Sequence, residues 1–377
     1  MSDLLEGNDV LGILRTGTGK SLCYQLPAKM LSGITLVVSP LISLMLDQVR
    51  ECKALFFKEV SAMHSFQSWE ERQRSLKQLH KVKLLFVSPE LLQNKRVMNH
   101  LKQQLQISLF VIDEAHCISQ WGYDFRPDYL RLTKVIHFLG DPPVLALTGT
   151  ATPDVQADIK SKLNRPKMID HIYPMDRYNI SLMVDKVEGT ETDKVKKLMH
   201  YIDHYQVPTL VYFTSRMRTE QIAREISNYH PERRVAFYHG GMETLDRLKI
   251  QQQFMNDQLD VICCTSAFGM GINKHNIRLI IHYHPPTQLE SFIQEIGRAG
   301  RDGEECLSIV LHRPSDLRIP AQIIENELPN EKELSFVYHR LIDVRTNNDT
   351  LPSDDESIET FFMMPVTKWR YLHYQLE

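Results

Sequence analysis

What most limits the fold of this chain is a rhythm of short, mostly apolar, β-rich runs separated by amphipathic stretches. Runs at 10–14, 34–39, 83–88, 109–112 and 144–148 read as strands, with helical patterns between them. A strand that is apolar at every position, not at alternate ones, is buried on both faces, as in a parallel sheet covered by helices. The rhythm weakens through 171–179, then resumes with a helical pattern at 192–205 and strands at 209–213, 235–238, 261–264, 279–282 and 307–311. The expectation is an α/β chain of two tandem parallel-sheet lobes, 1–172 and 173–315, with a short, mostly helical or disordered tail at 316–377. Strand signals stop after Arg313, the polar segment 345–359 reads as a linker, and 367–377 reads as a helix cut short. No short-period repeat is present, which argues against a solenoid.

Composition narrows the class. The 377 residues are 42% hydrophobic and 24% charged, enough to bury two cores. No run of about eighteen apolar residues occurs, and the first residues are acidic and polar, so neither a membrane span nor a signal peptide is expected and the protein is read as intracellular. The six cysteines form no C-x-x-C pair, which suggests neither a disulfide framework nor a zinc site. A net charge of -3 excludes coating of nucleic acid by bulk positive charge, so any such contact must be a local groove.

Two motifs carry chemistry. The run 10–14 leads into Arg15-Thr-Gly-Thr-Gly-Lys-Ser21 and then an amphipathic helix, the context of a phosphate-cradling loop. Thr16, Gly17, Thr18 and Gly19 would turn backbone N–H groups toward phosphate, with the helix's positive end behind them. Lys20 would meet the β and γ phosphates of ATP, and Ser21 would ligate Mg²⁺. Leu14 stands where the strict motif has glycine, so a chance glycine-rich turn is the alternative. The run 109–112 ends in Asp113-Glu-Ala-His116. Asp113 would hold the Mg²⁺ shell and Glu114 would polarise the water that attacks the γ phosphate. Solvated acids at a strand end are the ordinary alternative, but a lysine loop and an acid pair in this order argue for ATP hydrolysis.

The ordered set extends further, through Thr35-Leu-Val-Val-Ser-Pro-Leu-Ile-Ser-Leu-Met-Leu-Asp-Gln-Val49, Leu147-Thr-Gly-Thr-Ala-Thr-Pro153, Phe268-Gly-Met-Gly-Ile-Asn-Lys274 and Gln294-Glu-Ile-Gly-Arg-Ala-Gly-Arg-Asp-Gly303. On these motifs the chain resembles the RecQ group of superfamily-two DNA helicases, from Val10 to about Asp316, in a bacterial type lacking the zinc module. The stretch Cys117-Ile-Ser-Gln-Trp-Gly-Tyr-Asp-Phe-Arg-Pro-Asp128 resembles the aromatic-rich loop that sets RecQ helicases apart from RNA-helicase relatives. There Trp121 and Phe125 offer faces for base stacking and Arg126 a phosphate contact, and DNA on Trp121 would bias Glu114 through His116. Aromatics are more often core residues, but Gly122, Asp124, Arg126 and Pro127 speak against a buried regular element.

The resemblance implies RecA-like lobes that close on ATP, with Arg301 as the arginine finger, Arg298 close to the same phosphates and Gln294 near the attacking water. Arg298 and Arg301 lie three apart on an expected helix and would share a face. Thr214, Ser215, Thr265 and Ser266, hydroxyls at strand ends, would track the nucleic-acid backbone, with His239, Asn273 and Lys274 weaker candidates and a plain turn role the alternative for each. It further implies a monomeric DEAH-box DNA helicase moving 3′ to 5′ on single-stranded DNA in recombination and repair. Its cofactors would be ATP and Mg²⁺ without zinc. Its partners would be single-stranded and partly duplex DNA, single-strand-binding and recombination proteins, and its place the cytoplasm at the nucleoid.

Departures from the family qualify this. Lys20 lies too near Met1 for the family's upstream adenine-reading glutamine segment, so the expectation is either a chain incomplete at its start or impaired adenine recognition, with an unpaired or uncovered edge in the first lobe. Arg15 stands where relatives show proline, and Tyr123 where many show histidine. No cysteine follows Cys306 in this sequence, so a bound zinc in the family's four-cysteine module is not expected, and the winged-helix domain is expected to be missing too unless 367–377 is its interrupted approach. Unwinding is expected to be weaker than hydrolysis. An RNA-directed helicase, a duplex translocase with little unwinding, and a non-catalytic DNA-binding remnant stay open.

Overall fold

A computed structural model describes the chain except residues 16, 56, 66, 120–126, 175, 269–273, 320, 322–328, 348–354, 365–367 and 370–377. Seven strands, β1 (Val10–Ile13), β2 (Ile34–Val38), β3 (Val60–Met63), β4 (Leu84–Val87), β5 (Ile107–Ile112), β6 (Val144–Thr148) and β7 (Ile169–Ile172), form one sheet in the order β3-β4-β2-β5-β6-β1-β7. Six more, β8 (Ile180–Lys186), β9 (Thr209–Tyr212), β10 (Val235–Tyr238), β11 (Val261–Cys264), β12 (Leu279–His282) and β13 (Cys306–His312), form a second in the order β10-β11-β9-β12-β13-β8. Every pairing is parallel. Both sheets belong to one compact unit, Met1–His312.

Side-chain parity builds two cores on each sheet. Leu11, Ile13, Leu36, Val38, Phe110 and Ile112 point to one face of the first sheet, and Val10, Val37, Leu109 and Val111 to the other, each set in its own apolar cluster. In the second sheet Val211, Cys263 and Ile281 pack on one side and Leu210, Ile262 and Ile280 on the other. This explains the uninterrupted apolar runs, since alternate residues of a doubly covered strand face different cores.

The structure departs from the sequence expectation at the sheet margins. β3, β7 and β8 are strands that the apolar pattern does not mark, and all three are edge strands. Their burial is broken, as in β8, where exposed and half-buried residues follow a single buried Ile180. The phosphate-loop strand β1 is interior to its sheet, pairing with β6 on one side and β7 on the other, and the sheet's edges are β3 and β7.

Arg313–Glu377 forms a second unit. Helix Glu331–Asn347 runs into the start of the expected linker 345–359, and helix Asp355–Phe362 takes up its end. They are held by a small cluster of Val337, Phe362, Met364 and Trp369, with the Phe362 and Trp369 rings stacked at 3.9 Å. Of the expected final helix only Lys368 and Trp369 lie among the described residues, and both are helical. No helix among the described residues is long and apolar enough to cross a membrane.

Candidate active site

β5, β6 and β1 are neighbours, so the segments leaving their C-terminal ends meet where parallel sheets hold ligands. After β1, Gly17 and Gly19 adopt φ of +86° and +81°, a region that disfavours side-chain-bearing residues. The loop is pinned by the Leu14 amide, which donates to the Thr148 carbonyl at 3.1 Å, and by the Thr18 hydroxyl, which donates to the Arg15 carbonyl at 2.8 Å. Ser21 begins helix Leu22–Met30, whose N-terminus has no side-chain cap, so its positive end faces the loop.

Lys20 Nζ stands 3.6 Å from Glu114 Oε1. Glu114 itself has φ 50° and ψ 50°, left-handed backbone that costs a non-glycine residue roughly 1–2 kcal/mol. The turn brings its other oxygen to 3.4 Å from His116 Nδ1. His116 is buried and its Nδ1 also lies 2.8 Å from Thr148 Oγ1. That hydroxyl donates to the Thr150 carbonyl at 3.0 Å and accepts from the Thr150 amide at 3.2 Å. With the hydroxyl hydrogen so engaged, the proton between Thr148 and His116 belongs to Nδ1. His116 therefore donates, and it ties the acid pair to the segment that follows β6.

Asp113 is held by the Tyr129 hydroxyl, which donates to its carbonyl at 3.2 Å, and its Oδ1 accepts from the Glu114 amide at 3.1 Å. Burial, with the Glu114 charge beside it, pushes the Asp113 carboxyl up to about 7. Glu114 goes the other way: burial opposes its ionisation, but the charges of Lys20, His116 and Arg298 hold it below the usual carboxylate range. Two adjacent buried carboxylates that resist joint ionisation suit a divalent cation. Mg²⁺ needs only one or two protein oxygens when phosphates supply others, and Asp113 with the Ser21 hydroxyl offers that set. Among the described residues no three His, Cys, Asp or Glu side chains converge on a metal position.

The second sheet contributes the turn 297–304. The expected shared helix face of Arg298 and Arg301 is corrected here: helix Leu289–Ile296 ends at Gly297, and both arginines follow it in turns. Gly300 forces the change, with φ +54° and its amide donating to the Ile277 carbonyl at 3.0 Å. Arg298 is 4% exposed and its charge is felt by Glu114. A Cβ placed on Gly17 would lie 3.6 Å from Arg301 Cγ, so the Arg301 stem rests against the phosphate loop. Burial, with Arg298 and Arg177 nearby, lowers the Arg301 guanidinium to about 10, which leaves it cationic at neutral pH. A cavity of about 270 Å³ joins these parts, lined by Arg15, Gly17, Thr18, Arg177, Tyr178 and Arg301 among others. Gln294 is half-buried on the preceding helix.

The residues expected on the nucleic-acid path fare unevenly. Trp121, Phe125, Arg126 and Asn273 lie outside the described residues, as does Thr16 of the phosphate loop. Thr214 Oγ1 is 3.2 Å from His284 Nδ1 at the end of β9. Ser215 caps helix Arg216–Tyr229 by accepting from the Arg218 amide at 3.4 Å, and Thr265 Oγ1 accepts from the Ala267 amide at 3.4 Å, both ordinary turn roles. His239 Nε2 pairs with Glu220 at 3.0 Å. Lys274 is corrected: it is 3% exposed, bonds Asp257 at 2.6 Å and sits over the Phe254 ring, so its ammonium anchors its own lobe instead of facing a phosphate chain.

Arg177 and Asn179, which brace the arginine turn, were not singled out from sequence. Their partners are main-chain carbonyls some 120 residues away, which no local pattern marks. The only signal was a polar Asp176-Arg-Tyr-Asn179 inside the stretch where periodicity fails.

The family model described as DEAD/DEAH box helicase matches residues 1–159, and the one described as Helicase conserved C-terminal domain matches 193–303. The chain is 47% identical over 337 residues to the "Probable ATP-dependent DNA helicase RecS" of Bacillus subtilis, an alignment covering 89% of this chain and 67% of that protein. It is 38% identical over 344 residues to the "ATP-dependent DNA helicase RecQ" of Haemophilus influenzae, covering 89% of this chain and 54% of the relative. The chain thus spans about two thirds of one relative and about half of the other. Among solved structures, the DUF1998 helicase MrfA bound to DNA and AMPPNP superposes with a TM-score of 0.69 at 18% identity, over 86% of this chain and 49% of that one. The DEAD-box helicase Mss116 bound to ssRNA and UDP-BeF gives 0.69 at 15% identity, over 98% and 79%. At such identities these two likenesses speak for the fold alone.

Proposed function

The chain belongs to the RecQ family of superfamily-two helicases, and on that footing we propose that it is an ATP-dependent DNA helicase whose two lobes, 1–172 and 173–315, close on the nucleotide. The observation that carries this reading is the meeting of Lys20 with Glu114 at 3.6 Å while the Arg301 stem lies against Gly17. A lysine, a general base and a second-lobe arginine around one phosphate loop are the parts that phosphoryl transfer to water requires.

The roles follow from position. The amides of the loop and Lys20 bind the phosphates, Glu114 accepts the proton of the attacking water, and Arg301 meets charge on the γ phosphate. Mg²⁺, held by Asp113 and Ser21, would neutralise phosphate charge when bound. Glu114 lies 3.6 Å from Lys20 and 3.4 Å from His116, so a phosphate that draws Lys20 toward itself would loosen the hold on the base. His116, bonded to Thr148, carries that change toward the segment after β6.

The proposal extends to 3′ to 5′ movement on single-stranded DNA and to a role in recombination and repair, which rest on the family. The test is ATP hydrolysis measured with single-stranded DNA, duplex DNA and RNA, and strand displacement on duplexes with a 3′ or a 5′ tail. Stimulation by single-stranded DNA with opening of the 3′-tailed substrate is expected. Stimulation by RNA alone, or hydrolysis indifferent to any nucleic acid, would sink the DNA-coupled reading.

A further inference from the structure

Residues 173–179 carry the chain from β7 in the first sheet to β8 in the second. Adjacent residues of this crossing are tied to opposite halves of the site. On one side Arg15, at the head of the phosphate loop, donates through Nη1 to the Asp176 carbonyl at 2.8 Å. On the other, Arg177 donates to the carbonyls of Gly297 at 3.2 Å, Ala299 at 2.7 Å and Gly300 at 2.8 Å. Asn179 Nδ2 adds bonds to the carbonyls of Gly300 at 2.9 Å and Glu304 at 2.8 Å, and its Oδ1 accepts from Arg177 Nε at 3.3 Å.

An arginine beside a phosphate loop invites the reading that it binds phosphate. Donor counting decides against it. A guanidinium has five N–H donors, and Arg177 commits four of them to the turn 297–304 and Asn179. No fork remains for a bidentate anion contact. The carbonyls that it gathers belong to the residues flanking Arg298 and preceding Arg301. A turn built around glycines has little stiffness of its own, so its shape is set by whatever satisfies those carbonyls.

We propose that Arg177, braced by Asn179, is a positioning residue for ATP hydrolysis: it fixes the turn 297–304 so that Arg301 reaches the phosphate loop, and it does so from the segment that Arg15 ties to that loop. This rests on the hydrolytic reading above. Arg177 acts through Arg301 and touches no reacting atom.

The experiment is a mutant cycle on the full chain with saturating single-stranded DNA, reading kcat and KM for ATP separately, with ADP binding and thermal melting as folding controls. Arg301→Ala should lower kcat by roughly a thousandfold or more. Arg177→Ala should lower kcat by about a hundredfold, the scale of an ångström-level misplacement, with KM and ADP affinity unchanged. Arg177→Lys, which can hold one of the three carbonyls, should recover part of the loss. The double variant should be no slower than Arg301→Ala alone, because removing a positioner costs nothing once its client is gone. Wild-type kcat in Arg177→Ala, or losses that multiply in the double variant, overturns the inference. If Arg177→Ala does not fold, Asn179→Ala, which removes two of the five bonds to the turn, runs the same cycle. A wild-type chain that fails to hydrolyse ATP defeats the functional reading first. A normal wild type with a crippled Arg301→Ala and an unaffected Arg177→Ala defeats this inference alone.

Discussion

Glu114, the proposed general base, has a left-handed backbone. A non-glycine residue accepts such strain where surrounding contacts over-determine it, and here Lys20 and His116 hold the carboxylate from two sides. Glu114→Gln keeps the shape and removes the base. Turnover should fall by about a thousandfold or more while ATP still binds, since general-base loss acts on the transition state. Lys20→Ala should lose nucleotide affinity as well, which equilibrium binding of a labelled ATP analogue separates from steady-state kinetics. Asp113 gives a second test, in nucleotide-free and metal-free solution. Its carboxyl is raised toward 7 in the folded chain, so between the unfolded value and about 7 the native state binds more protons than the unfolded one. Stability contributed by this group is then fully present below the unfolded value and lost as pH rises through about 7. Melting temperature in that window should decline less steeply in Asp113→Asn than in the wild type; identical slopes would show that Asp113 ionises normally.

Between sequence and structure the elements divide by where they sit in their sheets. Central strands such as β2, β5 and β6 are covered on both faces, so nearly all of their residues are apolar, Thr35, Ser108 and Thr148 excepted, and the run was legible. The edge strands β3, β7 and β8 escaped because one flank or face meets solvent and the pattern is broken by Ser61, Asp170 and Ser181. The loop after β1 and the acids after β5 were legible for a different reason: their chemistry fixes residue type. The turn 297–304 was half legible, its arginines plain but its shape hidden, because a helix-like spacing of Arg298 and Arg301 does not show that Gly297 and Gly300 end the helix. Gly300→Ala tests how much that turn matters. A Cβ there would meet Asn179 Nδ2 at 2.4 Å, Cys306 Sγ at 2.6 Å and the Glu304 carbonyl at 2.7 Å, on top of a φ of +54°. The variant should lose on the order of 1–3 kcal/mol of stability, and kcat should fall with no matching rise in KM. A melting curve and kinetics like those of the wild type would mean that the turn relaxes freely.

At the scale of the whole molecule, the proposed hydrolysis requires two sheets that share one nucleotide. The phosphate loop and the acid pair belong to the first sheet, and Arg298 and Arg301 to the segment before β13 of the second. A ligand that touches both must hold them together more tightly than one that touches only the first. ADP meets the loop and Lys20 but lacks the γ phosphate that Arg301 would engage. A ligand bound only to the folded state stabilises it by about 2.7 kcal/mol at a hundredfold excess over its dissociation constant, so a tighter ligand at equal concentration raises the melting temperature further. A non-hydrolysable ATP analogue should therefore shift melting of the wild type more than ADP at matched concentration. In Arg301→Ala the two shifts should converge, because the contact that distinguished them is gone. The convergence should come from the analogue's shift falling, with that of ADP unchanged, since the first-sheet contacts are intact. Equal shifts in the wild type would mean that the second lobe does not meet the γ phosphate, and the two sheets would then have to be coupled by nucleic acid instead of nucleotide.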